Sequence, residues 1–177
     1  MKKTVYVVDT NVPLVANGAS NLSTECVSNC TRVLEEIMVD KSCIALDDKW
    51  LLIREYSNKL RSQGQPGVGD RFLRWVLTNY RNAHRCEVAS ITPQCNSFAE
   101  FPDHPSLDRF DKSDRKFVAV AVSHPKHPPI LQAADSKWWR LKEALQLQQI
   151  DVVFLCPSDV QAILARKRKG RQSRRTL

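Results

Sequence analysis

Long apolar runs are absent from this chain of 177 residues. No segment approaches the roughly 18 consecutive apolar residues that a membrane-spanning helix needs. The start Met1-Lys2-Lys3 leads into an apolar stretch that Asp9 interrupts, which leaves too little for a signal peptide. We therefore expect neither a membrane anchor nor a secretory leader, and we predict a cytoplasmic protein.

The chain also lacks a CxxC motif, although six cysteines occur, at positions 26, 30, 43, 86, 95 and 156. Cys26 and Cys30 are spaced to share a helix face, and His84 and Cys86 offer two further ligands. Structural zinc sites usually take their ligands in closely spaced pairs, so this pattern argues against zinc. Disulfides are typical of secreted chains, which this one does not resemble. We predict reduced, mostly buried thiols.

Most of the chain carries little net charge. Seven of its 27 basic residues lie in 166–177, so the remainder holds 20 basic against 19 acidic residues. The segment RKRKGRQSRRTL has almost no apolar content, which predicts a disordered basic tail after a domain at 1–165. Such a tail binds phosphate backbones without reading sequence, or it serves only solubility. The predicted nucleic-acid contacts in it are Arg166, Lys167, Arg168, Lys169 and Arg171.

Predicted strands and helices alternate along the chain, starting with the strand VYVVD at 5–9. Its unbroken apolar residues are typical of a strand buried on both faces in a parallel sheet. This alternation predicts an α/β fold, a three-layer α/β/α sandwich around a central parallel sheet. Further strands are predicted at 43–48, 86–90, 130–135 and 151–156, and helices at 26–39, 49–62, 70–80, 113–124 and 136–148.

Acidic residues end two of the predicted strands, Asp9 in VYVVD and Asp135 in ILQAAD. If these strands are parallel neighbours, both carboxylates lie at one edge of the sheet, where ligands bind in open α/β folds. The alternative for the first strand is that Asp9 or Asn11 only caps the following helix.

Two further acids lie on predicted helices. Asp114 begins an apolar stripe that continues at Phe117, Val118 and Ala121, so it faces the sheet at a helix start, where it also fits a capping role. Glu55 lies on a partly apolar helix face, which makes it a candidate for the same site. The alternative is an ordinary solvated glutamate on an amphipathic helix. Two other acids rank lower as ligands, because Asp48 fits a cap for the next helix and Asp111 fits a turn.

These four acids, in this order and spacing, resemble the motifs of the PIN-domain nucleases, a family that includes the toxin ribonucleases of bacterial toxin–antitoxin pairs. The segments that carry the resemblance are VVDTN, DDKWLLIREY, FDKSDRKFVAVA and LQAADSKWW. It covers about residues 4–155. The resemblance implies that Asp9, Glu55, Asp114 and Asp135 bind a divalent metal and are catalytic, and that Asn11 supports the site through hydrogen bonds.

A cluster of four carboxylates has a chemical reason to hold metal. Carboxylates held close together raise one another's pKa values unless cations neutralise them. Oxygen ligands without thiol or imidazole suit Mg2+ or Mn2+, and such ions activate water for attack on phosphodiesters. We therefore predict a metal-dependent endoribonuclease that acts on RNA, where the choice of RNA comes from the resemblance. A protein antitoxin and a homodimer are further partners that the resemblance implies.

The sequence departs from the family pattern around the fourth acid. Ala134 and Lys137 replace a hydroxyl residue and a further acid that many members have there. Lys137 is a candidate phosphate contact, or a solvated lysine. This loss of a carboxylate favours the alternative of a PIN-like module that binds RNA or protein without cutting it. A phosphotransferase of haloacid-dehalogenase type fits less well, because it needs an acid where this chain has Asn11.

Overall fold

A computed structural model of the protein describes residues 3–18, 21–39, 41–61 and 63–173. Five parallel strands form the central sheet in the order β3-β2-β1-β6-β7, and a short antiparallel hairpin pairs β4 with β5. The strands are β1 (Thr4–Val8), β2 (Ser42–Asp47), β3 (Cys86–Ala89), β4 (Pro93–Gln94), β5 (Ser97–Phe98), β6 (Ile130–Gln132) and β7 (Val152–Phe154). The predicted α/β fold and parallel sheet are confirmed.

Helices flank both faces of this sheet, which makes the architecture a three-layer sandwich. They are α1 (Asn11–Ala16), α2 (Thr24–Met38), α3 (Leu51–Lys59), α4 (Val68–Asn79), α5 (Arg115–Ser123), α6 (Ser136–Leu147) and α7 (Pro157–Ser173), with a 3-10 turn at Pro105–Leu107. None of the helices in the described ranges is long and apolar enough to cross a membrane.

The chain changes direction across the sheet after β3. It moves outward from β1 to β2 and β3 through α1–α4, and then returns past β1 to β6 and β7 through α5 and α6. Because crossovers between parallel strands are right-handed, this reversal places the two sets of helices on opposite faces. The strand order therefore switches between β1 and β6, and the crevice beyond their carboxyl ends is the favoured ligand site of such a fold.

The first strand lies at the centre of the sheet because it is apolar on both sides. Val7 and Val8 are fully buried, as the unbroken apolar run predicts. Large side chains from both helix layers fill the core around it, among them Tyr56, Phe72, Phe117 and Trp138. The Tyr56 hydroxyl donates to the Val8 carbonyl at 2.5 Å, which fixes α3 against the end of β1.

The carboxyl end of the sixth strand differs from the prediction. The strand was expected to run to Asp135, but β6 ends at Gln132. Asp135 instead takes the N-cap position of α6, where its side chain accepts a hydrogen bond from the Lys137 N–H. The capping preference of Asp thus draws the chain out of the sheet before the carboxylate is reached.

The predicted disordered tail is helical over its described part. Residues 166–173 continue α7, and residues 174–177 lie outside the described residues. The first turns of this helix carry the buried Val160 and the helix packs against α6. Helix propagation from a packed nucleus costs little per residue, so the basic segment extends an anchored helix.

The prediction of reduced thiols is wrong for one pair. Cys26, in the first turn of α2, forms a disulfide with Cys156, which directly precedes α7. The two cysteines are 130 residues apart in sequence, so no local spacing of cysteines predicts this pairing. Cys30, Cys43 and Cys86 are buried free thiols, and Cys95 is an exposed one.

Thiol counting tests this disulfide. We expect the denatured protein to show four reactive thiols without reductant and six after reduction. Reduction is expected to lower the free energy of unfolding by about 2–4 kcal/mol, because the bond restricts a long loop of the unfolded chain. Cys95→Ser is the control, and it should leave this difference unchanged. Six thiols before reduction would contradict the pairing.

Candidate functional site

One open cavity of about 700 Å³ brings together all four acids that the sequence singled out, Asp9, Glu55, Asp114 and Asp135. Asp9 follows β1 and Asp135 follows β6, and these strands are parallel neighbours. The Asp9 N–H extends their pairing by donating to the Leu131 carbonyl at 3.0 Å. The cavity thus lies at the switch in strand order, beyond the carboxyl ends of both strands.

Asp9 is the most enclosed of the four acids. Its side chain is buried with the residue only 2% exposed, and Oδ1 accepts a hydrogen bond from the Asn11 backbone N–H at 2.8 Å. Burial raises the pKa of Asp9 to about 8, and the nearby carboxylates of Asp114, Glu55 and Asp135 act in the same direction. Asp9 therefore keeps its proton to a higher pH than an exposed carboxylate does. The hydrogen-bond donor to it is the main chain of Asn11, so the supporting role of the Asn11 side chain stays a prediction.

Asp114 stands at the N-cap position of α5, and its carboxylate is held by two side-chain donors. Trp138 Nε1 and Ser113 Oγ each donate to it at 3.1 Å. Burial raises the pKa of Asp114 above its ordinary value, while these two hydrogen bonds oppose the shift. Trp138 is itself buried in α6, so this contact locks α5 and α6 together at the cavity wall.

Glu55 is held between a hydroxyl and an ammonium group. Thr10 Oγ1 donates to Glu55 Oε1 at 2.9 Å, and Lys116 Nζ forms an ion pair with Oε2. The Lys116 side chain is only 12% exposed, and its ammonium also donates to the Ser113 carbonyl. Lys116 thus acts as a built-in cation of the acidic cavity. The sequence predicted neither partner, because a threonine after Asp9 and a lysine on an amphipathic helix are ordinary there.

Lys137 has a defined partner in the structure. Its ammonium pairs with Asp111 Oδ2 at 2.9 Å, and its side chain is 70% exposed. This bond, the one from the Ser113 N–H, and the Ser113 hydroxyl that Asp111 shares with Asp114 lower the pKa of Asp111 to about 2. Asp111 therefore has the predicted turn role and also anchors Lys137 at the mouth of the cavity.

Basic side chains surround the acids of this cavity. Among the described residues that line it, five acids face five bases, and most of the bases are exposed where most of the acids are recessed. The bases are Arg54, Lys59, Lys112, Lys116 and Lys137. A recessed cluster of carboxylates inside a basic rim can hold a cation at its floor and an extended anion at its mouth.

The prediction that Asp48 caps α3 is wrong. Asp47, not Asp48, accepts hydrogen bonds from the N–H groups of Lys49, Leu51 and Leu52. Asp48 accepts instead from Ser90 Oγ and the Ile91 N–H. Trp50 has φ of 64° between strand and helix, so the chain turns tightly here and brings the earlier carboxylate over the helix start. Neither acid lines the cavity.

None of the predicted nucleic-acid contacts with described side chains on the last helix lines this cavity. Lys167 Nζ donates to Ser136 Oγ at 2.8 Å, and Ser136 follows Asp135 in the chain. Arg166 and Arg168 are exposed on the same helix. The side chains of Lys169 and Arg171 lie outside the described part of the structure.

Comparisons of this chain with protein-family models, with curated protein sequences and with solved structures find no match. The resemblance to PIN-domain nucleases thus stays a hypothesis that depends on the acids and their placement.

The pKa of Asp9 predicts how stability depends on pH without metal. Unfolded Asp9 loses its proton near pH 4, whereas folded Asp9 keeps it until about pH 8. Raising the pH across this window favours the unfolded chain, so the stability that protonated Asp9 contributes is lost. Denaturation in EDTA should show the free energy of unfolding of the wild type falling between about pH 4 and pH 8. Asp9→Asn should remove the part of this fall that Asp9 causes, and it should be more stable than wild type at pH 8.

The control for this comparison is Asp103→Asn, which removes an exposed carboxylate from a loop outside the cavity. It should follow the wild-type pH profile. Equal pH profiles for wild type and Asp9→Asn would contradict the raised pKa.

Proposed function

We propose that this protein is a divalent-metal-dependent endoribonuclease that hydrolyses phosphodiester bonds in RNA. The observation that carries the proposal is the convergence of Asp9, Glu55, Asp114 and Asp135 in one recessed cavity with a basic rim. Burial raises the pKa of Asp9 and of Asp114, so the cluster would gain from a cation. The resemblance to PIN-domain nucleases supports the same assignment.

The donor set fits Mg2+ or Mn2+. All four candidate ligands are carboxylates, and hard divalent ions prefer such oxygen ligands. Asp9 and Asp114 would hold the ion most firmly, since their orientations are fixed by the Asn11 N–H and by Trp138. Glu55 and Asp135 complete the wall of the cavity. A bound ion would supply Lewis-acid stabilisation of phosphoryl oxygen and a water of lowered pKa.

The residues of the chain would position the substrate and need not attack it. Exposed Arg54, Lys59 and Lys112 line the cavity mouth, where they would bind phosphates on either side of the reacting group. Thr10 and Trp138 hold the carboxylates in place. Hydrolysis by an activated water requires no nucleophilic side chain, which agrees with a cavity lined by acids and bases.

We propose RNA and not DNA as the substrate because of the resemblance to the PIN-domain nucleases. An open cavity with a basic rim suits a single-stranded segment or a loop, whose backbone follows the charges without a rigid duplex. The same resemblance makes this protein a candidate toxin with a protein antitoxin, and a candidate homodimer in the cytoplasm.

The second candidate is a non-catalytic module that binds RNA or protein. The Lys116–Glu55 ion pair favours it, because an internal ammonium already neutralises part of the acidic cluster. Ala134 and Lys137, at positions where many nucleases of the resembled family have a hydroxyl and an acid, point in the same direction. Catalysis and metal binding distinguish the two candidates.

Cleavage of labelled single-stranded RNA in Mn2+ tests the nuclease. Asp9→Asn and Asp114→Asn are expected to lower the rate by more than about a hundredfold, because each removes a charged oxygen ligand. Asp103→Asn should cleave like wild type, and EDTA should stop cleavage. Undiminished cleavage by both active-site variants would exclude this site, and no cleavage by wild type would favour the binding module.

Metal affinity tests the role assigned to Lys116. Lys116→Met is expected to bind Mn2+ about fivefold more tightly, because Glu55 loses its competing ammonium and the cavity becomes more negative. Lys116→Arg should keep the wild-type affinity. The surface control Lys41→Met, at the opposite end of the sheet, should also leave it unchanged. Equal or weaker binding by Lys116→Met, measured by calorimetry, would contradict this role.

A further inference from the structure

A second cavity, of about 350 Å³, opens beside the acidic one. Its walls come from α1, Leu22 before α2, the segment after β6, the start of α6, and α7. Three residues line both cavities, namely Asn11, Asp135 and Lys137. The two cavities are therefore adjacent parts of one surface that meet at the fourth acid.

The walls of the second cavity combine apolar and polar side chains. Val15, Leu22 and Ile163 contribute aliphatic side chains, Lys137 and Lys167 contribute ammonium groups, and Asp135 contributes a carboxylate where the two cavities meet. A cavity of this size, with an apolar part and a set of placed polar groups, is typical of a site for a small organic moiety. A ligand of this cavity should thus combine a flat or apolar moiety with a negatively charged group.

Lys167 is placed at this cavity by its contacts. Its ammonium donates to the hydroxyl of Ser136, a buried residue in the first turn of α6. The disulfide between Cys26 and Cys156 fixes the start of α7, the helix that carries Lys167. The ammonium thus belongs to the folded domain and lines the same cavity as Asp135, unlike a charge on a disordered tail.

We propose that the second cavity is the binding site for the nucleotide adjacent to the scissile phosphate of a single-stranded RNA. Lys167 binds a phosphate of this nucleotide, and Val15, Leu22 and Ile163 contact its base or ribose by dispersion. The proposal rests on the proposed function, because the acidic cavity must receive the neighbouring phosphodiester. Aliphatic walls contact any base face, so this site fixes the register of the strand without selecting a sequence.

RNA binding by the full-length protein tests the site without requiring cleavage. The probe is a short, fluorescein-labelled single-stranded RNA, with anisotropy measured in Ca2+, which prefers the same oxygen ligands. Ile163→Trp fills the cavity and Lys167→Met removes its charge. The controls are Gln161→Trp on the exposed part of α7 and Lys41→Met, neither of which touches a cavity wall. Leu22→Trp replaces Ile163→Trp if the latter fails to fold.

We expect the tryptophan variant and Lys167→Met each to weaken RNA binding at least about fivefold. The controls should stay within about twofold of wild type. The salt dependence separates the two contacts, since Lys167→Met should reduce the slope of log affinity against log salt by about 0.7 and Ile163→Trp should leave it unchanged.

Other results would overturn the proposal. Wild-type affinity in the tryptophan variant would exclude the cavity as a nucleotide site and favour a protein side chain as its occupant. Wild-type affinity and salt slope in Lys167→Met would exclude the phosphate contact. Failure of wild type to cleave RNA in Mn2+, with both variants still weakened, would reject the hydrolysis and keep the binding site.

Discussion

Burial of the Asp9 carboxylate at the end of the central strand is the constraint on which the rest of the site depends. A charged carboxylate removed from water is costly unless cations or donors surround it. The Asn11 N–H donates a hydrogen bond to this carboxylate, and burial still raises its pKa to about 8. The nearby Lys116 ammonium is engaged by Glu55. On the proposed function, a divalent ion supplies the further positive charge that would keep this carboxylate ionised.

The topology of the sheet explains why the acids meet. Strand order reverses between β1 and β6, so the crevice beyond their ends is open to a ligand while both helix layers cover the faces. Two hydrogen bonds from aromatic side chains then fix the walls of this crevice. Tyr56 fastens α3 to Val8, and Trp138 fastens α6 to Asp114. Acids that are distant in sequence are in this way held by rigid elements, as a site for positioned chemistry requires.

The fold and the acidic cluster could be predicted because their signals are local. An apolar strand such as 5–9 implies a buried parallel strand, and parallel strands direct the segments that follow them, here with Asp9 and Asp135, to one edge of the sheet. Contacts between distant segments could not be predicted in this way. Three such contacts depend on how the helices pack: the Cys26–Cys156 disulfide, the Lys116–Glu55 ion pair and the hydrogen bond from Lys167 to Ser136. The composition of the basic segment predicts disorder. Composition carries no information about the packed turns of α7 that precede this segment and extend into it.

An anomalous difference map from crystals soaked in Mn2+ would test most directly whether this cavity is a metal centre. We expect a peak within ligand distance, about 2.0–2.3 Å, of carboxylate oxygens from Asp9 and Asp114, with Glu55 or Asp135 nearby. We also expect the Lys116 ammonium to move off Glu55 when that carboxylate binds the ion. A cavity without a peak at saturating Mn2+, with the Lys116–Glu55 pair intact, would contradict the account and identify the acids as a structural cluster neutralised by lysine.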